Sequence, residues 1–292
     1  MSLHFADRLL EACREKESPI CVGLDPVFDR LPESLRGDDP VAAIETFCQG
    51  VIESIADTAP CVKLQSACFE RYLTAGHDVY LRITAMARER GLVVIGDAKR
   101  GDIGISAAHY AAGCLDDHDG SPGPDALTIN AYFGKDGIDP FVQVAAEKGK
   151  GLFALVRTSN PGGDALQSQQ LADGRSVADC VAQIVADIGS NDVGESGYSL
   201  LGAVVGATKP QDAARLRELM SQQIFLVPGF GAQGGGADDV RACFKSDGTG
   251  AIITASRSVI YAFAKSDSAD WKSAIRDAAI DMKQQVNAIL AG

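Results

Sequence analysis

The chain has 292 residues, 46% hydrophobic and 23% charged, with 39 acidic against 27 basic side chains and a formal charge of −12. That composition excludes a disordered chain, a coiled coil and a collagen-like rod. An acidic chain with no basic run longer than a pair also argues against nucleic acid as a partner, so any phosphate bound belongs to a small ligand in a local pocket.

No apolar run approaches the roughly 20 residues of a membrane-spanning helix. Residues 1–16 carry Asp7, Arg8, Glu11, Arg14 and Glu15 where a secretory signal would be apolar. The expected location is cytoplasmic, with no membrane partner. The eight Cys (13, 21, 48, 61, 68, 114, 180 and 243) form no C-x-x-C pair, and the four His show no H-x-x-x-H spacing. Reduced, buried thiols and no metal site are expected.

Short apolar runs recur along the chain, at 20–24, 61–64, 92–96, 126–129, 152–156, 201–205, 224–227 and 251–254. Each is rich in Val, Ile and Leu, as strands buried on both faces of a parallel sheet are. Helical periodicity lies between them. Residues 41–55 place Val41, Ile44, Phe47, Cys48, Val51 and Ile55 on one face, and 176–188 do so with Val177, Val181, Ile184, Val185 and Ile188. Residues 268–290 align Trp271, Ile275, Ala278, Met282, Val286 and Ile289, with Ser268 or Asp270 as N-cap. The Gly/Ser/Asp-rich stretches 116–124, 162–174 and 189–197 read as loops or insertions, because the strand count runs through them without restarting. Eight strands alternating with about eight helices predict a (β/α)8 TIM barrel, a single domain over 1–292. A doubly wound open sheet is the alternative, since periodicity does not show closure.

A barrel carries its active site at the C-terminal ends of its strands. The residues at or just after those ends are Asp25, Lys63, Asp97 with Lys99, Asn130, Thr158 with Ser159, Thr208 with Lys209, Gly229, and Ser256 with Arg257. Any one of them alone is most simply a solvated loop residue. Together they form a polar rim that a purely structural barrel does not need.

The sharpest element runs Gly96-Asp97-Ala98-Lys99-Arg100-Gly101-Asp102-Ile103-Gly104. Asp97 and Lys99 are two apart in extended chain and point to the same side. Asp102 follows across a glycine that permits a tight turn. A lysine between two carboxylates keeps its proton, which makes it a fixed cation and proton donor rather than a Schiff-base nucleophile. A surface ion-pair cluster is the plain alternative, disfavoured by the position directly after a buried strand. The second element, 227–236, holds G-x-G-x-x-G at Gly229, Gly231 and Gly234. It lacks the acidic ribose partner of a dinucleotide site and better fits a barrel phosphate site, to which the eighth strand delivers Arg257. The third, 157–163, offers hydroxyl and amide groups suited to the polar edges of a flat heterocycle; an ordinary turn explains it as simply.

With these elements in order, the chain resembles the orotidine 5′-phosphate decarboxylase family in its longer bacterial type 2 form. The family signature D-x-K-x-x-D-I reads Asp97-Ala98-Lys99-Arg100-Gly101-Asp102-Ile103 here. The similarity extends to Gly23-Leu24-Asp25-Pro26, Val62-Lys63-Leu64-Gln65, the 158–163 loop, residues 228–235 and Ala255-Ser256-Arg257-Ser258. The resemblance implies a charged tetrad of Lys63, Asp97, Lys99 and Asp102, with Lys99 as proton donor and no cofactor. It implies a homodimer in which Asp102 and Ser106 reach the neighbouring subunit's site. It further implies ribose contacts from Asp25 and Lys63, a pyrimidine contact from Ser159, a bridge from Gln233, and phosphate binding by Arg257 with Gly229 and Gly231. Two positions depart from the family pattern: Ala131, where a proline is expected, and Ser106, where many relatives carry threonine. A magnesium-dependent sugar-phosphate decarboxylase or aldol-type synthase on the same scaffold is the nearest alternative, and Lys63 argues against it, because those relatives end the second strand in an acidic residue. A non-catalytic nucleotide-binding barrel would have no need of the alternating Lys and Asp.

Overall fold

A computed structural model describes residues 4–117, 122–206, 210–230, 237–265 and 270–291. Eight parallel strands close into a barrel in chain order: β1 (Ile20–Leu24), β2 (Cys61–Gln65), β3 (Val93–Arg100), β4 (Ala126–Ile129), β5 (Gly151–Arg157), β6 (Leu201–Val205), β7 (Phe225–Pro228) and β8 (Ala251–Ala255). Pairing of Ile20 with Ile253 and of Val22 with Ala255 joins β8 back to β1, which excludes the open sheet. The helices are α1 (Phe5–Glu15), α2 (Pro40–Ile55), α3 (Ser66–Glu70), α4 (Leu73–Glu89), α5 (Gly104–Leu115), α6 (Lys135–Lys148), α7 (Asp164–Gln167), α8 (Val177–Gly189), α9 (Pro210–Leu219), α10 (Ala237–Arg241), α11 (Arg257–Ile260) and α12 (Trp271–Ala291). None of those described is long and apolar enough to cross a membrane.

The helices form where the apolar spacing predicts them. Asp39 caps α2 by accepting from the backbone N–H groups of Val41 and Ala42, and the helix buries Ile44, Phe47, Cys48, Val51 and Ile55 against the barrel. Each such side chain contributes roughly 1.5–3 kcal/mol by leaving water. Ser176 and Asp179 form a reciprocal capping box on α8. Asp270 accepts from the N–H of Lys272 at the start of α12; Ser268, the other candidate cap, lies outside the described residues.

Three expectations need correction. The 162–174 stretch is not all loop, since it contains α7. Only four of the eight free Cys are buried (21, 48, 61 and 243), and the others are half-buried. Strand β3 continues to Arg100, well past the end of its apolar run. Its charged residues carry no hydrophobic signal, yet the ladder persists: Arg100 pairs with Ile129 after a register shift beyond Gly96.

One end of the barrel is sealed. Cys21, Cys61, Ile95, Phe153, Leu226 and Ile252 pack with Phe5, Leu9 and Leu10 of α1. The Phe5 ring meets Phe153 edge-on at 6.0 Å. A Cβ at Gly151 would lie 2.1 Å from that ring, so α1 seats only over glycine. Arg8 of α1 pairs with Asp125 at 2.9 Å and donates to the carbonyl of Gly149. The opposite end, where the strands terminate, is open.

Candidate active site

At that open end lies a cavity of about 470 Å3. Asp25, Lys63, Asp97, Lys99, Ser159, Gly229 and Arg257 line it, as the sequence predicts. Strand pleating explains the convergence, because alternate residues face the barrel interior. The inward series Cys61-Lys63 and Val93-Ile95-Asp97 passes from the apolar plug to charge within one strand each.

Asp97 is the centre of the floor. Its Oδ2 accepts from Lys63 Nζ at 2.7 Å, and its Oδ1 accepts from Lys99 Nζ at 2.6 Å and from the Thr128 hydroxyl at 2.8 Å. Burial alone would raise the Asp97 pKa, but the Lys63 and Lys99 charges outweigh it and hold the carboxyl down at about 2. Burial likewise disfavours the Lys63 charge, and Asp97 with Asp25 overcomes that and raises its pKa. The Asp25 carboxylate stands 3.8 Å from Lys63 Nζ.

Lys99 reaches this floor by a route simple alternation does not describe. Its φ is +48°, in the left-handed region that L-residues avoid at a cost of about 1–2 kcal/mol. The Thr128 hydroxyl accepts its backbone N–H at 3.0 Å. Thr128 therefore pins both the bent backbone of Lys99 and the carboxylate its side chain grips. The residue lies inside the fourth apolar run, one before its end, and was readable only by counting alternate positions from Ala126.

Gln65, Thr254 and Ser256 also line the cavity. Asp25 Oδ1, Thr254 Oγ1 and Ser256 Oγ are buried with no hydrogen-bond partner among the described residues. Three unsatisfied polar atoms around one cavity are the signature of a site that a polar ligand completes. Gly229 has φ +106°, which only glycine adopts readily. Arg257 opens α11 with its side chain exposed beside the cavity, and no described residue pairs with its guanidinium.

Other candidates lie elsewhere. Asn130 caps the turn after β4, accepting from the N–H of Tyr132, and does not line the cavity. Ser106 is exposed on α5, and Asp102 Oδ1 accepts from the N–H of Ile103; neither enters the cavity of its own chain. Thr208, Lys209, Gly231, Gln233 and Gly234 lie outside the described residues. Among the described residues, no three His, Cys, Asp or Glu side chains group as metal ligands would.

Comparison with known proteins places the chain in a family. The chain is 41% identical over 97% of its length to an orotidine 5′-phosphate decarboxylase of Rhodopirellula baltica, covering 98% of that protein. It is 40% identical over 99% of its length to one of Deinococcus radiodurans, covering 99% of that protein. Its fold matches the crystal structure of a putative orotidine 5′-phosphate decarboxylase from Streptomyces avermitilis, with a TM-score of 0.85 and 36% identity, covering 100% of this chain and 98% of that one. Residues 18–270 match the profile of one family, and the chain belongs to it: the orotidine 5′-phosphate decarboxylase / HUMPS family.

Proposed function

We propose that this protein converts orotidine 5′-phosphate to UMP and CO2, the last step of UMP synthesis, without a cofactor, in a one-domain barrel that works as a homodimer. The observation that carries the reading is the alternation of charge on the cavity floor, one carboxylate gripped by two ammonium groups at 2.7 and 2.6 Å.

The reaction breaks the bond between C6 of the pyrimidine and its carboxylate carbon. CO2 departs, and the electron pair stays on C6 in the plane of the ring, where the ring carbonyls cannot take it up by simple resonance. Preorganised charge supplies the stabilisation. Lys99 stabilises the developing carbanion and then passes a proton from Nζ to C6, leaving a neutral amine that recovers its proton from solvent. Its side chain is 46% exposed in the open cavity, so solvent reaches it. Asp97 orients Lys99 and, with Asp102 of the partner subunit, crowds the substrate carboxylate. Asp25 and Lys63 contact the ribose hydroxyls, and Ser159 contacts the pyrimidine. Gln233 bridges base and phosphate, and Arg257 with Gly229 and Gly231 binds the phosphate, whose remote binding energy orients the ring.

The dimer is supported by the surface around Asp102 and Ser106. Ile103 is 56% exposed, Ile105 77% and Tyr132 76%. Phe133, also exposed, lies beside Gly101. Exposed apolar side chains gathered near Asp102 are what a dimer seam there would cover.

The test is to mix the purified protein with orotidine 5′-phosphate and excess EDTA, and to follow the loss of substrate ultraviolet absorbance. Rapid loss with UMP as product is expected. Loss that requires magnesium would favour a metal-dependent reaction on this scaffold. Binding of UMP without turnover would indicate a nucleotide-binding barrel.

A further inference from the structure

The loop that carries Ser159 is held by a device outside the cavity. Arg157 ends β5 with its side chain only 5% exposed. Its Nε donates to Asp212 Oδ2 of α9 at 3.1 Å, Nη1 to Gln167 Oε1 at 3.1 Å, and Nη2 to Asp164 and to the Ser168 hydroxyl. Gln167 then turns back onto the loop. Its Oε1 also accepts the backbone N–H of Thr158 at 2.9 Å, and its Nε2 donates to the Thr158 hydroxyl at 2.8 Å. That hydroxyl donates onward to Asn160 Oδ1 at 2.6 Å. Thr158, Ser159 and Asn160 line the cavity, whereas Arg157 and Gln167 do not.

Two close approaches show how little freedom the loop has. A Cβ at Gly163 would lie 2.8 Å from the Thr158 hydroxyl, and one at Gly206 would lie 3.0 Å from the Ser159 backbone. A planar guanidinium with a fixed fork of donors suits such a hub; a lysine would be a single point charge there. Buried ion clusters are weak evidence of stability in themselves. This one sends its bonds, through Gln167, into the residues that border the ligand.

We propose that Arg157 and Gln167 are positioning residues that fix the 158–160 loop in register with the pyrimidine, and so set the preference for a base-bearing nucleotide over a bare sugar phosphate. This rests on the reading of Ser159 as the contact to the ring. Neither residue touches substrate; both act through Thr158.

The test is calorimetric titration of UMP and of ribose 5-phosphate into the wild type, Gln167→Ala, Gln167→Glu and Ser159→Ala. Gln167 is half-buried on a short surface helix, and its alanine variant keeps a helix-forming side chain. Gln167→Ala is expected to weaken UMP about ten-fold, the scale of one hydrogen-bonded anchor. Its affinity for ribose 5-phosphate should stay within about two-fold of wild type. Gln167→Glu keeps the acceptor for Thr158 and Arg157 and should recover most of the UMP affinity. Equal weakening of both ligands would make the hub merely structural and overturn the proposal. Unchanged UMP affinity in Gln167→Ala beside an impaired Ser159→Ala would also overturn it, while leaving the reading of the site intact. Wild-type UMP affinity in Ser159→Ala would remove the base contact itself, and the positioning role with it.

Discussion

Thr128→Val tests whether the cavity floor acts as one unit. The substitution nearly conserves shape at a side chain that is 1% exposed, and it removes a hydroxyl with two partners. One is the Asp97 carboxylate, at 2.8 Å; a hydrogen bond to a charged group contributes about 1.5–3 kcal/mol. The other is the backbone N–H of Lys99, at 3.0 Å, in a residue held at φ +48°. Leaving that donor unpaired costs a further ~1–3 kcal/mol. The first loss falls on the geometry of Asp97 and Lys99 and should appear as roughly a 10- to 150-fold fall in kcat. The second falls mainly on folding and should lower Tm. Steady-state decarboxylation at saturating substrate, UMP titration and thermal unfolding separate the two. UMP affinity should change little, because neither lost bond involves the phosphate or ring contacts. Thr128→Ser should restore kcat. A folded Thr128→Val with kcat within two-fold of wild type would refute the view that this hydroxyl positions the lysine.

Lys99→Ala should nearly abolish turnover while leaving UMP binding measurable by titration; retention of more than about a tenth of the rate, a barrier change under ~1.4 kcal/mol, would exclude it as proton donor. Arg257→Ala should lower kcat/KM chiefly through KM, and an unchanged KM would remove it from the phosphate site. Asp97 titrates near 2 in the folded chain against about 3.8 unfolded, so its stabilisation is complete above about pH 4 and is lost as pH falls from there toward 2. Urea midpoints across that window should therefore fall more steeply for wild type than for Asp97→Asn, and parallel curves would contradict the assignment. Arg217 is buried and donates to the backbone carbonyls of Met220, Gln223, Cys243 and Gly250. Arg217→Met orphans those carbonyls and should cost at least about 3 kcal/mol of stability, with kcat at low temperature unchanged; an unaltered Tm would show that water replaces the donor.

How far the site was legible depended on where the signal lay. Strands β1, β4 and β6 begin and end where their apolar runs do, because burial on both faces stops abruptly at a polar turn. The apolar run stops short of the end of β3 because its last residues, Asp97, Lys99 and Arg100, are charged, and charge is the opposite of the signal that marks a buried strand. Reading the residues at or just after the end of each run found Asp25, Lys63, Ser159 and Arg257. It passed over Thr128 and Thr254, which a count by twos along Ala126-Thr128 and Ile252-Thr254-Ser256 reaches, and it named Gln65 only within a stretch shared with the family. Arg157 reads as the first residue of a loop, yet its partners, Gln167 and Asp212, lie 10 and 55 positions away. No local pattern announces such a hub. Asp102 and Ser106 do not line the cavity of their own chain, and the part proposed for them in a dimer leaves no mark that a single chain's pattern could show.

The buried atoms Asp25 Oδ1, Thr254 Oγ1 and Ser256 Oγ, which make no hydrogen bond among the described residues, bear on the lifetime of the molecule as well as on recognition. Buried polar atoms without partners lower the stability of the empty barrel, and a ligand that satisfies them raises it. At a hundred-fold excess over its dissociation constant, such a ligand adds about 2.7 kcal/mol to the folded state. Proteolysis through the open form slows by the same factor of roughly a hundred when opening equilibrates faster than cleavage. A chain built this way should therefore resist protease longer when a ligand that completes the cavity is abundant than when it is scarce.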